Sequence, residues 1–113
     1  MAKMQTETLR ALDAMLEASA AARESLRRKE MALRRLRRRI EKGTPVAEAF
    51  VGLDIPARRR EMTDGLSALE YASRNVRRAT IALGATEGLS LGEMSRIWGL
   101  SRQLVTRLAK ETN

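Results

Sequence analysis

Neither cysteine nor histidine occurs in this 113-residue sequence. The first absence excludes disulfides and thiolate metal sites; the second removes the commonest metal ligand and the usual general base near neutral pH. Carboxylates remain, but no pair is placed for acid and base work, and there is no glycine-rich phosphate loop. An enzyme is therefore not expected, nor a metal or a cofactor. Aromatic residues are almost missing, with only Phe50, Tyr71 and Trp98. Single-strand binders stack bases on several rings, so this scarcity argues against an OB-fold or an RNA-recognition sheet. No apolar run approaches the ~20 residues that cross a bilayer, and the N-terminus lacks the apolar stretch of a signal peptide. The expected location is the cytoplasm, with no membrane partner.

What the sequence has in excess is positive charge. Lys and Arg number 22 against 14 Asp and Glu, for a formal charge of +8. Such a balance favours polyanionic partners. The excess sits in two blocks: Arg23 to Lys42 carries ten basic and three acidic residues, and Tyr71 to Asn113 carries seven and three. The segments between and before them are slightly acidic. Abundant Ala, Leu, Arg, Glu and Met, with few β-branched residues, predict an all-α chain.

From about Thr6 to Lys42 there is neither Pro nor Gly, and Gly43-Thr44-Pro45 makes a stop and a restart. One long helix is predicted, about 55 Å at ~1.5 Å per residue. Leu12, Ser19, Leu26, Leu33 and Ile40 recur every seven residues, with Met15, Ala22, Lys29 and Leu36 three positions after the first four. This is the a/d pattern of a coiled coil, thinned at Ser19 and Ala22 and charged at Lys29. The expected dimer seam is Leu12, Met15, Leu26, Leu33, Leu36 and Ile40. The alternative is that the stripe packs on the protein's own later helices. Seven arginines lie among the thirteen residues from Arg27 to Arg39 with few acidic neighbours. Of these, Arg27, Arg28, Arg34, Arg35 and Arg38 form a candidate phosphate-binding stripe. An acidic protein partner would fit the same stripe. Residues 1–42 are thus read as a basic, coiled-coil-like dimerisation arm, and residues 43–113 as a small helical domain.

In that domain Thr44 is expected to cap a short helix with Pro45 at its first position, ended by Gly52. A further helix runs from Asp54-Ile55-Pro56 towards Thr86, with Thr63-Asp64-Gly65 as a point of interruption that the sequence leaves open. Ser90 and Glu93 form a capping box that opens a helix from Leu91 to Trp98. Gly99 supplies the positive φ of a tight turn, and Ser101 caps a last helix from Arg102 to about Glu111. Counting from Leu91, the small Ser95 stands fifth, where two helices would cross closely, and Gly99 ninth. Met94, Trp98, Leu100, Val105 and Leu108 supply apolar contacts at the fourth, eighth, tenth, fifteenth and eighteenth places. Trp98 is read as a core residue.

Residues Leu91 to Lys110, about a fifth of the chain, resemble the helix-turn-helix family of bacterial and phage repressors, resolvases and the promoter-reading helices of sigma factors. Trp98-Gly99-Leu100-Ser101-Arg102-Gln103-Leu104-Val105 carries most of the likeness. The departures are Ser95, where the family usually has Ala, and Trp98, where a smaller aliphatic is common. The resemblance implies that the second helix, within residues 91–111, enters the major groove of double-stranded DNA. Arg102, Gln103 and Arg107 are then the candidates for base contacts. Ser101, Thr106 and Lys110 are better suited to phosphates, and Arg96, Arg74, Arg77 and Arg78 would follow the flanking backbone. The expected function is that of a homodimeric transcription regulator in the nucleoid. An architectural DNA-binding protein acting through the Arg-rich helix is the second reading, and a protein-interaction module the third.

Overall fold

The computed structural model describes residues 2–111. The chain is all-α, with helices α1 (Ala2–Glu41), α2 (Val46–Ala49), α3 (Ile55–Thr86), α4 (Leu91–Trp98) and α5 (Arg102–Glu111), and no strand among the described residues. The long first helix expected from the Pro- and Gly-free run is present over 40 residues. It stops where Thr44 N–H reaches the Arg39 carbonyl at 2.9 Å and Gly43 N–H the Ile40 carbonyl at 3.0 Å, which satisfies carbonyls that the helix end leaves open. Arg38 and Arg39 in its last turn complement the negative end of the helix dipole.

One expectation is corrected, and one point the sequence left open is settled. Thr44 does not cap α2: Pro45 holds the N-cap position, no side chain bonds there, and α2 is the single turn Val46–Ala49. Thr63-Asp64-Gly65 does not interrupt α3, which continues through it for 32 residues. One glycine in a helix interior costs only about 1 kcal/mol relative to alanine, less than ending and recapping a helix would.

The chain divides into two compact units, and both long helices contribute to each. Unit 2 is Ala18–Leu69. Its buried residues are Ser25, Ala32, Ala49 and Leu53. Two arginines hold the α2–α3 connection: Arg39 Nη1 donates to the carbonyls of Ala49 (2.8 Å) and Val51 (2.7 Å), and Arg58 Nε donates to that of Leu53 (3.0 Å). Arg28 bridges α1 to Glu61 of α3.

Unit 1 joins the residues up to Glu17 with those from Glu70 onward. Ile81 from α3, Met94 from α4, and Val105 and Leu108 from α5 make its core, with Leu89, Trp98, Leu100, Leu104 and Ala109 packed against them. Thr8 Oγ1 donates to its own helix at Met4 O (2.8 Å) and lies 3.3 Å from Ala79 O of α3. Gly84 lets α4 approach α3, because a Cβ there would fall 2.6 Å from Met94 Sδ.

The buried positions of α1 do not coincide with the large apolar residues. Thr8, Ser25 and Ala32 are buried, and Ala11, Met15, Ala18, Ala22 and Leu36 half-buried. Leu12, Leu26, Leu33 and Ile40 remain 39–49% exposed. Of the expected seam, Met15 and Leu36 are therefore turned partly inward, while Leu12, Leu26, Leu33 and Ile40 face outward. Small side chains let helix backbones come close, so the inward face is read from size rather than from hydrophobicity.

Candidate nucleic-acid interface

The order in which α4 and α5 are built explains which side chains reach solvent. Gly88, at φ 88°, closes α3: Leu89 N–H reaches the Gly84 carbonyl at 2.9 Å and Gly88 N–H that of Ala85 at 3.2 Å. The capping box expected from Ser90 and Glu93 is present. Glu93 N–H donates to Ser90 Oγ (3.1 Å), and Ser90 N–H to Glu93 Oε1 (3.2 Å). These bonds hold the Glu93 carboxyl below its ordinary pKa, because the backbone N–H of Ser90 favours the charged form. Gly99 ends α4 in the left-handed region, at φ 67° and ψ 31°, which a side chain would disfavour. Leu104 N–H then donates to Ser101 Oγ (3.1 Å), so Ser101 caps α5 as expected.

The turn is tied on its inner side as well. Ser95 Oγ donates to the Leu100 carbonyl, so the hydroxyl that distinguishes this position from alanine has a partner. Trp98 Nε1–H donates to Thr80 Oγ1 at 2.9 Å, and Thr80 Oγ1 lies 2.9 Å from the Val76 carbonyl. Trp98 is thus a core residue with its polar atom satisfied on α3. Met94, Val105 and Leu108 are buried to 4%, 0% and 2% exposure, which fixes the rotation of α5 about its axis.

That rotation brings Arg102, Gln103, Thr106 and Arg107 to one shallow surface depression. Arg102, Gln103 and Arg107 are exposed, as are Ser101, Lys110 and, on α4, Arg96. Thr106 is half-buried, and its hydroxyl donates to the Arg102 carbonyl at 2.8 Å. Among the described residues none of Arg96, Arg102, Arg107 and Lys110 has a carboxylate within ion-pair distance. The acidic residue at the end of α5 is engaged from α3: Glu111 accepts from Arg74 (2.5 and 3.3 Å) and lies 3.8 Å from Arg78, while the charge of Arg107 acts on it more weakly. The Arg74 hydrogen bond, against a smaller opposing effect of burial, holds the Glu111 carboxyl below its ordinary range. The outer face of α5 is left cationic.

Comparison with protein-family models, with curated proteins and with solved structures found no match. The site is described by its own geometry alone.

The flanking arginines divide. Arg78 is engaged by Glu111 and by Asn75 Oδ1 at 2.6 Å, and Arg74 by Glu111, so both tie α5 to α3. Arg77 is half-buried, with its Nε enclosed and without a hydrogen-bond partner. Arg96 alone of the four is exposed and unpaired among the described residues. In the stripe on α1, Arg27 and Arg28 pair with Glu24 at 3.0 and 3.5 Å, and Arg34 lies 4.0 Å from Glu30. Arg35 and Arg38 are exposed with no ion pair among the described residues. The sequence reading missed Gly92. A Cβ there would lie 3.2 Å from Arg102 Nη2, so the bare backbone lets the Arg102 guanidinium rest over the first turn of α4. The signal was Gly, a poor helix former, at the second place of an eight-residue helix. It also missed that Arg39 and Arg58 serve carbonyls of a connecting loop, which charge patterning does not reveal. Among the described residues no helix is long and apolar enough to cross a membrane, and no three acidic residues gather to hold a metal.

Proposed function

We propose that the protein binds double-stranded DNA and reads its sequence by placing α5 in the major groove, as a homodimeric transcription regulator of bacterial or phage type, located at the nucleoid. One observation carries the reading: the Gly99 turn and the buried Met94, Val105 and Leu108 leave Arg102, Gln103 and Arg107 together on an unpaired cationic face. Arg pairs bidentately with guanine and Gln with adenine, each good pair giving about 1–3 kcal/mol of discrimination. Ser101, Thr106, Lys110 and Arg96 supply phosphate contacts, and the first amides of α5 favour an anion.

Dimerisation is supported by the outward column Leu12, Leu26, Leu33 and Ile40, spaced by multiples of seven residues on one face of α1. One recognition helix gives limited affinity, and two copies on half-sites one helical turn apart double the contacts. Sedimentation equilibrium of a Leu26→Glu/Leu33→Glu variant reads this directly; a wild type that sediments as a monomer at micromolar concentration rejects it.

Fluorescence anisotropy tests the DNA reading, with wild type and an Arg102→Ala/Arg107→Ala variant titrated against random and selection-enriched duplexes at two salt concentrations. Selected sites should bind at least ~10³-fold tighter than random ones, and the variant should lose that preference. The architectural reading is favoured by unpaired Arg35 and Arg38 on α1. It requires weak, salt-steep binding without sequence preference, unchanged in the variant.

A further inference from the structure

We propose that unit 2 carries a second anion site, a notch shaped for one phosphoryl group and walled by Arg28, Arg35 and Arg58. The notch lies between α1, Leu53 and the first turn of α3, has a volume of about 80 Å³, and is floored by Met31, Ala32 and Leu53. Three arginines line it, and few carboxylates are paired with them. Arg28 is paired with Glu24 and Glu61. Arg58 is held through Nε on the Leu53 carbonyl, an uncharged acceptor, and no carboxylate lies within ion-pair distance of it among the described residues. The same holds for Arg35, which is exposed. The nearest carboxylate on the connection, Asp54, accepts from Ala57 N–H at 3.4 Å. Two positive charges therefore face the notch without compensation.

The position of Arg58 sharpens the point. It is the fourth residue of α3, where the helix dipole is positive and a cation is unfavourable by itself. An anion in the notch would offset the charges of both Arg35 and Arg58. Guanidiniums bind planar forks of oxygens, and a phosphoryl group offers enough oxygens to serve two or three at once. The volume holds a handful of waters, the scale of a single phosphoryl group rather than of a nucleoside. The group would come either from a free phosphate compound or from the backbone of a nucleic acid. The site uses residues of unit 2 only, so it stands whether or not α5 reads DNA.

The test uses the full chain and four variants: Arg35→Gln, Arg35→Lys, Arg23→Gln and Arg102→Ala/Arg107→Ala. Arg23 is exposed on the same helix and lies outside the notch, so Arg23→Gln reports loss of charge alone. Calorimetric titration at low salt with inorganic phosphate and with pyrophosphate measures the free-compound source. Saturable binding at one per chain, weakened about tenfold or more by Arg35→Gln, partly restored by Arg35→Lys and unchanged in the other two variants, supports the site with that source; a charge-assisted hydrogen bond is worth about that much. If neither compound saturates, anisotropy with random duplex decides. A salt slope reduced by about 1 in Arg35→Gln but not in Arg23→Gln assigns the notch to backbone phosphate. Loss of binding in Arg23→Gln equal to that in Arg35→Gln, or no effect of Arg35→Gln in either arm, overturns the proposal.

Discussion

Replacing Leu108 by alanine separates the framework of α5 from its outer face. Leu108 is 2% exposed and packs in the cluster of Ile81, Met94 and Val105, which joins three helices. Truncation removes three carbons, about 2.4 kcal/mol of transfer free energy at ~0.8 kcal/mol each. The unfilled space adds to this, so a loss of about 3–4 kcal/mol is expected. For a domain whose whole stability is about 5–15 kcal/mol, that is a large fraction. The melting temperature followed by far-UV circular dichroism should fall by roughly 10–20 °C, and the urea midpoint should fall with an unchanged slope. The neighbouring Arg107→Ala is the control. Arg107 is exposed, so its removal should change stability by no more than about 0.5 kcal/mol while weakening binding to a selected duplex. A Leu108→Ala protein that melts within about 2 °C of wild type would refute the packing of α5 described above.

Three further outcomes follow from the turn and the caps. Ser90→Ala removes one side of the capping box and should lower stability by about 1 kcal/mol, read by urea denaturation. Gly99→Ala meets no neighbour but holds φ 67°, so it should lower stability by about 1 kcal/mol through backbone strain alone, with Gly99→Asn less affected. Glu93 and Glu111 are held below their ordinary pKa of 4.5, so the stability they add is complete above that value and is lost as the pH falls through their lower folded values. Melting temperature should therefore decline below about pH 4.5, and Glu111→Gln should make that decline shallower.

Much of the C-terminal half was legible because its signals are local. Ser90 with Glu93, Gly99 and Ser101 each specify a bond or a dihedral within four residues, and each is found where expected. The inward or outward sense of Val105, Leu108, Arg102 and Arg107 follows from helical period alone. What lay beyond sequence reading depends on residues far apart in the chain. Arg78 and Arg74 look like free cations until Glu111 comes to lie beside them. Arg39 and Arg58 look like further members of a charge run until the carbonyls of the α2–α3 connection fall within reach. On α1 the large leucines mark the outward column, while the face buried within the chain, one position away at Ala11, Ala18, Ser25 and Ala32, carries little hydrophobicity and gave no comparable signal.

The contact between Gly84 and Met94 also constrains how this protein can change through descent. A side chain at 84 and a long thioether at 94 require the same space. In diverging copies the two positions are expected to exchange volume as a pair, a bulkier residue at 84 accompanied by a shorter one at 94. On the outer face of α5, Arg102 has a looser tie of the same kind to Gly92, whereas Gln103 and Arg107 have none and are free to vary. The scaffold would thus evolve slowly and in couples, while the outer face of α5 would change largely one residue at a time.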